Sequence, residues 1–339
     1  MGDSFVAEMN HLYRELMLPA VPEEEMVYVL GHINPDSDAA GAAIGCAMLL
    51  QCLGLQARAA LPGPVNAETR FACASLGLEE PAVIDSVAHL PVVLVDHSSC
   101  SQAVLDLDEA RLIGVIDHHG IGDVNTSEPV FIRSARTGAA STLVWLCWVE
   151  SGIPIPQAAA SALLMGILSD TRNLTMNVTQ ADRQAVRALM DILGMPDEER
   201  QKLYAGMRKA LTDYEGMSDT DIFHLDYKEY EAGTIRFGVG VVRASGAQAC
   251  RKVAKRMRRY MEEAIHSLDV DMLFLMVSNI AADDTEMILS AVGKGADEAL
   301  TLSFGPEADG MIELAENLSR KSTFVPKLRA VLEHFPEIR

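Results

Sequence analysis

The chain has 339 residues, room for about two domains. It is 49% hydrophobic and 22% charged, a globular composition, and 28 basic against 48 acidic residues leave a net charge of −20. That acidity argues against a nucleic-acid backbone or an anionic membrane as partner, because phosphate surfaces require a basic footprint. The longest apolar run, 39–50, is twelve residues, too short to span a bilayer. Residues 1–25 read as a surface extension, and the opening MGDSFVAEMNHLYREL is polar and acidic, unlike a secretory signal. MVYVL (26–30) is a short apolar run, followed by a small-residue helix pattern over 39–53. PVVLV (91–95) and LIGVI (112–116) are again continuous apolar runs that end abruptly in polar residues. Continuous rather than alternating hydrophobicity indicates strands buried on both faces, as in a parallel sheet. Helix patterns over 138–150, 156–168 and 179–193 complete an α/β alternation. Gly194-Met195-Pro196-Asp197 stops one helix and caps the next, so the first domain is expected over 26–194 and the second over 198–339. The second half carries strand patterns at 234–243, 271–278 and 286–292 and helix patterns at 247–267, 309–318 and 326–335, again α/β. Six cysteines with no CxxC spacing read as reduced thiols in a cytoplasm.

Acids and histidines gather directly after apolar segments at four places. MVYVL leads into Gly31-His32-Ile33-Asn34-Pro35-Asp36-Ser37-Asp38, and PVVLV into Asp96-His97-Ser98-Ser99. LIGVI leads into Asp117-His118-His119-Gly120, and LLMGIL into Ser169-Asp170-Thr171. Open parallel sheets bind ligands at the carboxyl ends of their strands, so these segments are expected to converge on one edge. They would deliver Asp36, Asp38, Asp96, Asp117 and Asp170 together with His32, His97, His118 and His119. So many carboxylates repel one another unless cations sit among them. Oxygen-rich donors with a few imidazoles suit Mn²⁺ or Mg²⁺ better than thiolate-seeking metals, and Cys100 lies just beyond one of the loops. The donor count suits two ions sharing a bridging carboxylate, the arrangement that activates water for phosphoryl hydrolysis. Taken singly, Asp170 reads as a helix cap and His97 as a hydrogen-bonded structural residue; the convergence of all four segments is what points to metal.

The ordered motifs GHINPDSD, DHS, VIDHHG and ILSD resemble those of the DHH phosphoesterase superfamily. Ser319-Arg320-Lys321 followed by Val325-Pro326 resembles the SRK…VP segment of the family II, manganese-dependent inorganic pyrophosphatases. Residues 64–69 (PVNAET) resemble that family's segment between its first two metal motifs, and the likeness spans roughly 26–330. The glycine-rich GGGH motif of the oligoribonuclease branch is absent, and no regulatory insert separates Asp117 from Asp170. The resemblance implies a two-domain α/β fold, with a parallel-sheet DHH domain, a smaller C-terminal α/β phosphate-binding domain and an active site in the cleft between them. It implies hydrolysis of pyrophosphate to two phosphates by a metal-bridging hydroxide. Other superfamily activities are hydrolysis of short polyphosphate or of a nucleotide phosphodiester; a phosphate sensor that binds metal without turnover is a rival of another class. By resemblance His32 and Asp36 bind one Mn²⁺, Asp38, His118 and Asp170 bind a second, and Asp96 bridges both. Co²⁺ or Mg²⁺ are alternative ions, and Mg²⁺ accompanies the substrate. His97, His119, Arg320 and Lys321 would bind substrate, and Asp96, His119, Arg320 and Lys321 would carry the catalytic roles. A homodimer through the first domain is also implied. The chain departs from the family pattern at Ser98, where Asn is usual, and at Gly120, where Arg is frequent. It also lacks a phosphate-contacting lysine near Gly216-Met217, with Arg208 or Lys209 as candidate substitutes.

Residues 1–194 hold nine Arg, no Lys and 23 acidic residues, a net charge of −14, while 195–339 carry −6. A half without lysine holds an anion poorly unless metal ions change its sign. The first half is therefore expected to supply metals and the second to supply cations that grip phosphate. The basic run Arg251, Lys252, Lys255, Arg256, Arg258 and Arg259 reads as a solvated helix face. The 17 methionines read as core filler, Trp145 and Trp148 as packing residues, and the small-residue segment 39–45 as a close helix–sheet contact.

Overall fold

A computed structural model describes residues 13–15, 21–22, 24–281 and 286–334. Contacts divide the chain into two bodies, Met1–Ala210 and Leu211–Arg339. The first holds a parallel sheet of β1 (Met26–Leu30), β2 (Gln56–Leu61), β3 (Ala82–Val83), β4 (Pro91–Val95), β5 (Arg111–Asp117) and β6 (Phe131–Ser134). Its helices are α1 (Ser37–Cys52), α2 (Ala67–Leu76), α3 (Ala140–Ser151), α4 (Gln157–Asp170), α5 (Gln180–Leu193) and α6 (Asp197–Ala210).

β4 shows why its sequence is apolar throughout. Val93 and Val95 enter a large core shared with α1, α3 and α4, while Val92 and Leu94 enter a second cluster on the opposite face. The strand order is β3-β2-β1-β4-β5-β6. The chain winds outward from β1 through β3, then returns to lay β4 on the other side of β1. The reversal opens a crevice outside the carboxyl ends of β1 and β4, the place where such sheets bind ligands.

α1 approaches α4 closely. A Cβ on Gly41 would lie 2.3 Å from the carbonyl oxygen of Ala162, so only glycine permits this approach. The small residues expected to permit close packing on the sheet thus also serve a helix–helix contact. Trp148 is buried and donates its indole N–H to the Gly45 carbonyl at 3.0 Å. α6 follows the expected boundary, yet it packs Leu203 and Met207 into the first core, with Gly206 against Phe71 of α2. The first body therefore ends one helix later than the Gly-Met-Pro-Asp signal suggests. Most of the expected surface extension lies outside the described residues, but Tyr13 is buried in the same core, edge-on to Phe131.

The second body contains α7 (Asp219–His224), β7 (Tyr227–Ala232), β8 (Ile235–Ala244), α8 (Ala247–Ala264), β9 (Met272–Asn279), β10 (Met287–Gly293), α9 (Ala296–Phe304), β11 (Ile312–Leu314) and α10 (Val325–Leu332). A π-helical turn, Arg320–Phe324, precedes α10. The sheet order is β11-β10-β9-β8-β7, with β8 and β9 parallel and the other pairs antiparallel. β9 sends Met272, Phe274 and Met276 into a core with α9 and α10, and Leu273, Leu275 and Val277 into another with α7 and α8. The helix expected over 309–318 is not formed. Asp309 and Gly310 both have positive φ and make a turn, and β11 then pairs with the edge of β10. The basic run is only partly a solvated face: Arg251 pairs with Glu313 and Arg256 with Asp219, and Arg258 reaches Asp297 and the carbonyls of Ala291 and Gly310. No described helix is long and apolar enough to cross a membrane.

Gly41→Ala should cost about 1–3 kcal/mol of stability, because the added methyl meets backbone that cannot rotate away. Urea unfolding measures it, and a variant as stable as the parent would show that α1 and α4 have room to separate.

Candidate metal centre

The loop after β1 turns into α1 through Asp36, the N-cap residue. Its Oδ1 accepts hydrogen bonds from the amides of Asp38 and Ala39, both at 3.0 Å, leaving Oδ2 facing His32 Nε2 at 3.7 Å. His32 Nδ1 lies 2.8 Å from the Ile33 carbonyl, the contact that selects the tautomer with Nε2 free to ligate. Asp38 is wholly buried and accepts from the amides of Ala140 and Ser141 at 2.5 and 2.9 Å. These are unpaired amides of the first turn of α3, whose own N-cap residue is Ala139 and offers no side-chain acceptor. A carboxylate is favoured there by the positive end of the helix. Gly166 of α4 completes the seat, since a Cβ on it would lie 2.7 Å from Asp38 Oδ1.

Asp96 is the first residue past β4 and has φ +65°, a left-handed conformation unusual for a non-glycine residue. Such backbone costs of order 1–3 kcal/mol and persists where surrounding structure enforces it. It sets one carboxylate between two imidazoles, with Oδ2 3.3 Å from His32 Nε2 and Oδ1 3.2 Å from His118 Nε2. His118 directs Nδ1 at the Thr137 carbonyl, 3.1 Å away, and its Nε2 lies 3.5 Å from Asp170 Oδ2 and 4.0 Å from Asp38 Oδ2. His32, Asp36 and Asp96 form one potential ligand group, and Asp38, His118 and Asp170 another. In each group the ligand atoms lie within 4.8 Å of one another. His118 Nε2 and Asp96 Oδ1 are buried and close, yet neither makes an aligned hydrogen bond. Two buried polar atoms turned toward one space without such a bond fit a shared divalent cation. The oxygen-rich donors with one histidine per group suit Mn²⁺ or Mg²⁺.

The metal-free centre compensates its charges with protons. Burial opposes a charged His32, but the carboxylates of Asp36 and Asp96 overcome it and push its pKa up to about 11. His118 is likewise raised to about 9 against burial, by Asp96 and Asp38. Burial and the neighbouring Asp96 push Asp38 up to about 7, and burial with Asp36, Asp38 and Asp96 raises Asp170 well above the usual carboxylate range.

The six expected metal ligands converge, but Asp170 arrives differently from the others. LLMGIL belongs to α4, and Asp170 is the last residue of that helix, not the end of a strand. Asp117 stands behind the ligands. Its Oδ1 accepts the His119 amide and lies 3.0 Å from His119 Nδ1, while its Oδ2 accepts the Ser98 hydroxyl at 2.8 Å. Ser98 also accepts from the Gly122 amide, so a hydroxyl ties the two loops together where the family usually places Asn. His119 Nδ1 is 3.7 Å from Asp96 Oδ1 and its ring is more than half exposed. His97 is only 1% exposed, burial lowers its pKa to about 4, and its Nε2 is buried without a hydrogen-bond partner among the described residues. In the second body Arg320 donates to the Asp226 carbonyl and carboxylate at 2.7 and 2.6 Å, while Lys321 is exposed. Arg208, a candidate substitute for the missing lysine, lies 3.9 Å from the buried Glu68. Sequence reasoning missed the Thr137 carbonyl, the α3 amides and Ser98, whose roles depend on which loops meet.

Residues 26–167 match the model of the DHH family, N-terminal domain, and residues 205–331 that of the DHHA2 domain. The chain is 34% identical over 313 residues to a Lactobacillus acidophilus protein named "Probable manganese-dependent inorganic pyrophosphatase", covering 90% of this chain and 98% of the relative. The chain belongs to the family II inorganic pyrophosphatases. A Methanothrix thermoacetophila member, named manganese-dependent inorganic pyrophosphatase, is 28% identical over 310 residues, covering 91% of this chain and 98% of its own. The fold agrees with that of a Methanococcus jannaschii protein assigned to family II of the inorganic pyrophosphatases, with TM-score 0.69, 26% identity and coverage of 91% and 99%. An exopolyphosphatase-related protein of Bacteroides fragilis shares the fold at TM-score 0.50 and 14% identity, over 98% of this chain and 96% of its own.

Metal loading should release protons, because the imidazolium forms of His32 and His118 that prevail at pH 7 in the metal-free protein cannot ligate. Affinity for Mn²⁺ should therefore rise with pH between 6 and 8. Calorimetry in buffers of different ionisation enthalpy reads the proton count, and a pH-independent affinity would contradict the assignment. Asp96→Asn should retain Mn²⁺ poorly, since two dications would share less negative charge; metal analysis of the purified variant checks this.

Proposed function

We propose that this family II pyrophosphatase hydrolyses inorganic pyrophosphate to two orthophosphates using two divalent ions, Mn²⁺ foremost. His32, Asp36 and Asp96 would hold one ion, and Asp38, His118 and Asp170 with the shared Asp96 the other. The observation that carries this reading is the Asp96 carboxylate, which presents each oxygen to a different histidine, each at the head of its own acidic group. The manganese-dependent names of the curated relatives support the choice of ion. When bound, the ions make water acidic enough to attack near neutral pH and offset phosphate charge.

The protein's own part is placement and charge. Helix amides hold Asp36 and Asp38, and carbonyls hold the rings of His32 and His118, so the ligands need little rearrangement. Asp117 engages His119 Nδ1 and raises its pKa, which favours the cation and leaves Nε2 to donate to a phosphate oxygen. We assign Arg320 and Lys321 as further phosphate contacts, with Arg320 preset by Asp226. A cytoplasmic location and a homodimer through the first body belong to the same proposal. The first is supported by six cysteines without a disulfide, and the second by the outer edge of β6, which no strand pairs among the described residues and where Ile132 is exposed.

Orthophosphate release from pyrophosphate and tripolyphosphate, and mononucleotide release from a linear dinucleotide, each with Mn²⁺, Co²⁺ or Mg²⁺, test the reading. Pyrophosphate with Mn²⁺ should give the highest kcat/KM, by about tenfold or more. A preference for either other substrate, or no cleavage of any, would overturn it. Lys321→Ala should raise KM or lower kcat by about tenfold while Mn²⁺ affinity measured without substrate stays unchanged.

A further inference from the structure

The loop joining β6 to α3, residues 135–139, bears on the centre at several points. The Thr137 carbonyl faces His118, the Gly138 amide donates to the buried Asp182 at 2.9 Å, and the α3 amides just beyond it hold Asp38. Arg136 lies on this same loop. It lines a pocket of about 550 Å³ together with His118, His119, Asp170, Asn177 and Thr179. Within the lining it is the single Arg or Lys, in a half of the chain that contains no lysine.

The arginine three residues earlier makes the contrast plain. Arg133 is clamped to Glu150 by two hydrogen bonds, at 2.6 and 2.7 Å, and its role is structural. Arg136 makes no ion pair or hydrogen bond with any described residue and is exposed to the pocket. A guanidinium offers five donors in a planar fork that matches phosphate oxygens in pairs. Placed beside His118, His119 and Asp170, it is the group of the first body best suited to an anion that reaches the ligand cluster.

We propose that Arg136 is a phosphate-binding residue, gripping a phosphoryl group of the substrate and then the product orthophosphate from the first-body side, opposite in kind to the ligands around it. The proposal rests on the pyrophosphatase reading for the identity of the substrate, though not for phosphate binding itself.

The test uses the full chain loaded with Mn²⁺, as wild type, Arg136→Ala and Arg136→Lys. One readout is pyrophosphate hydrolysis, and a second, independent of turnover, is calorimetric binding of inorganic phosphate. Arg136→Ala should lower kcat/KM by about tenfold or more and weaken phosphate binding by a similar factor, with Mn²⁺ content unchanged and Arg136→Lys recovering part of both. An alanine variant within twofold of wild type in both readouts overturns the proposal. So does loss of Mn²⁺ in that variant, which would make Arg136 a support for the ligands, and so does a wild-type protein that binds no phosphate. A wild type that binds phosphate through Arg136 yet leaves pyrophosphate intact refutes the hydrolase reading and upholds this one.

Discussion

Repulsion among Asp36, Asp38, Asp96 and Asp170 is the constraint on which the first body is built. Two unit charges 4 Å apart interact by about 4 kcal/mol at an effective dielectric of 20, so gathering four carboxylates needs compensation from every direction. The chain supplies it in pieces. The start of α1 neutralises part of Asp36, the start of α3 does so for Asp38, and the rings of His32 and His118 stand on either side of Asp96. Protons complete the balance without metal, and divalent ions do so with it. The strained backbone at Asp96 belongs to the same arrangement, because a relaxed conformation would swing its carboxylate away from one of the two histidines.

Much of this was legible in the sequence because burial on two faces leaves a plain signature. MVYVL, PVVLV and LIGVI became β1, β4 and β5, and the acids after them mark the carboxyl edge of the sheet. The weaker elements escaped for physical reasons. β2, QARAAL, has Gln56 and Arg58 exposed and reads as polar, and β11 is three residues on an edge whose pairing depends on a distant strand. LLMGIL falls inside the helix pattern over 156–168, and the helix runs on to Asp170, so here both the element and the acid at its end could be read from the sequence. Ser98 reaching Asp117 and Thr137 reaching His118 are contacts between loops about twenty residues apart, and nothing in the local composition announces them.

The uneven charge of the chain takes on meaning from how its arginines are used. In the first body Arg70 faces Glu80, Arg111 pairs with Glu25, Arg133 with Glu150, and Arg208 lies near Glu68. These cations are committed to neighbours and contribute little field at the crevice. Apart from the unpaired Arg136, the sign of the potential there is governed by what occupies the acidic centre, so an anionic substrate is held better once cations have arrived. Such an order of events protects the centre from phosphate while it is unmetallated.

The contact at Gly41 has a bearing on ion choice. Asp38 is carried by α1 and Asp170 by α4, and these helices meet backbone to backbone at Gly41, with Gly166 seated against Asp38 itself. At Gly41 the nearest atoms across the contact are backbone, so no flexible side chain lies there to act as a cushion. The separation of the ligands is gauged by peptide groups, as in the fixed jaws of a calliper. Ca²⁺ takes oxygen ligands roughly 0.2–0.6 Å farther out than Mg²⁺ does. To seat so large an ionic radius the protein would have to spread two packed helices and not simply turn a rotamer, which makes discrimination by ion size a property of the hydrophobic core.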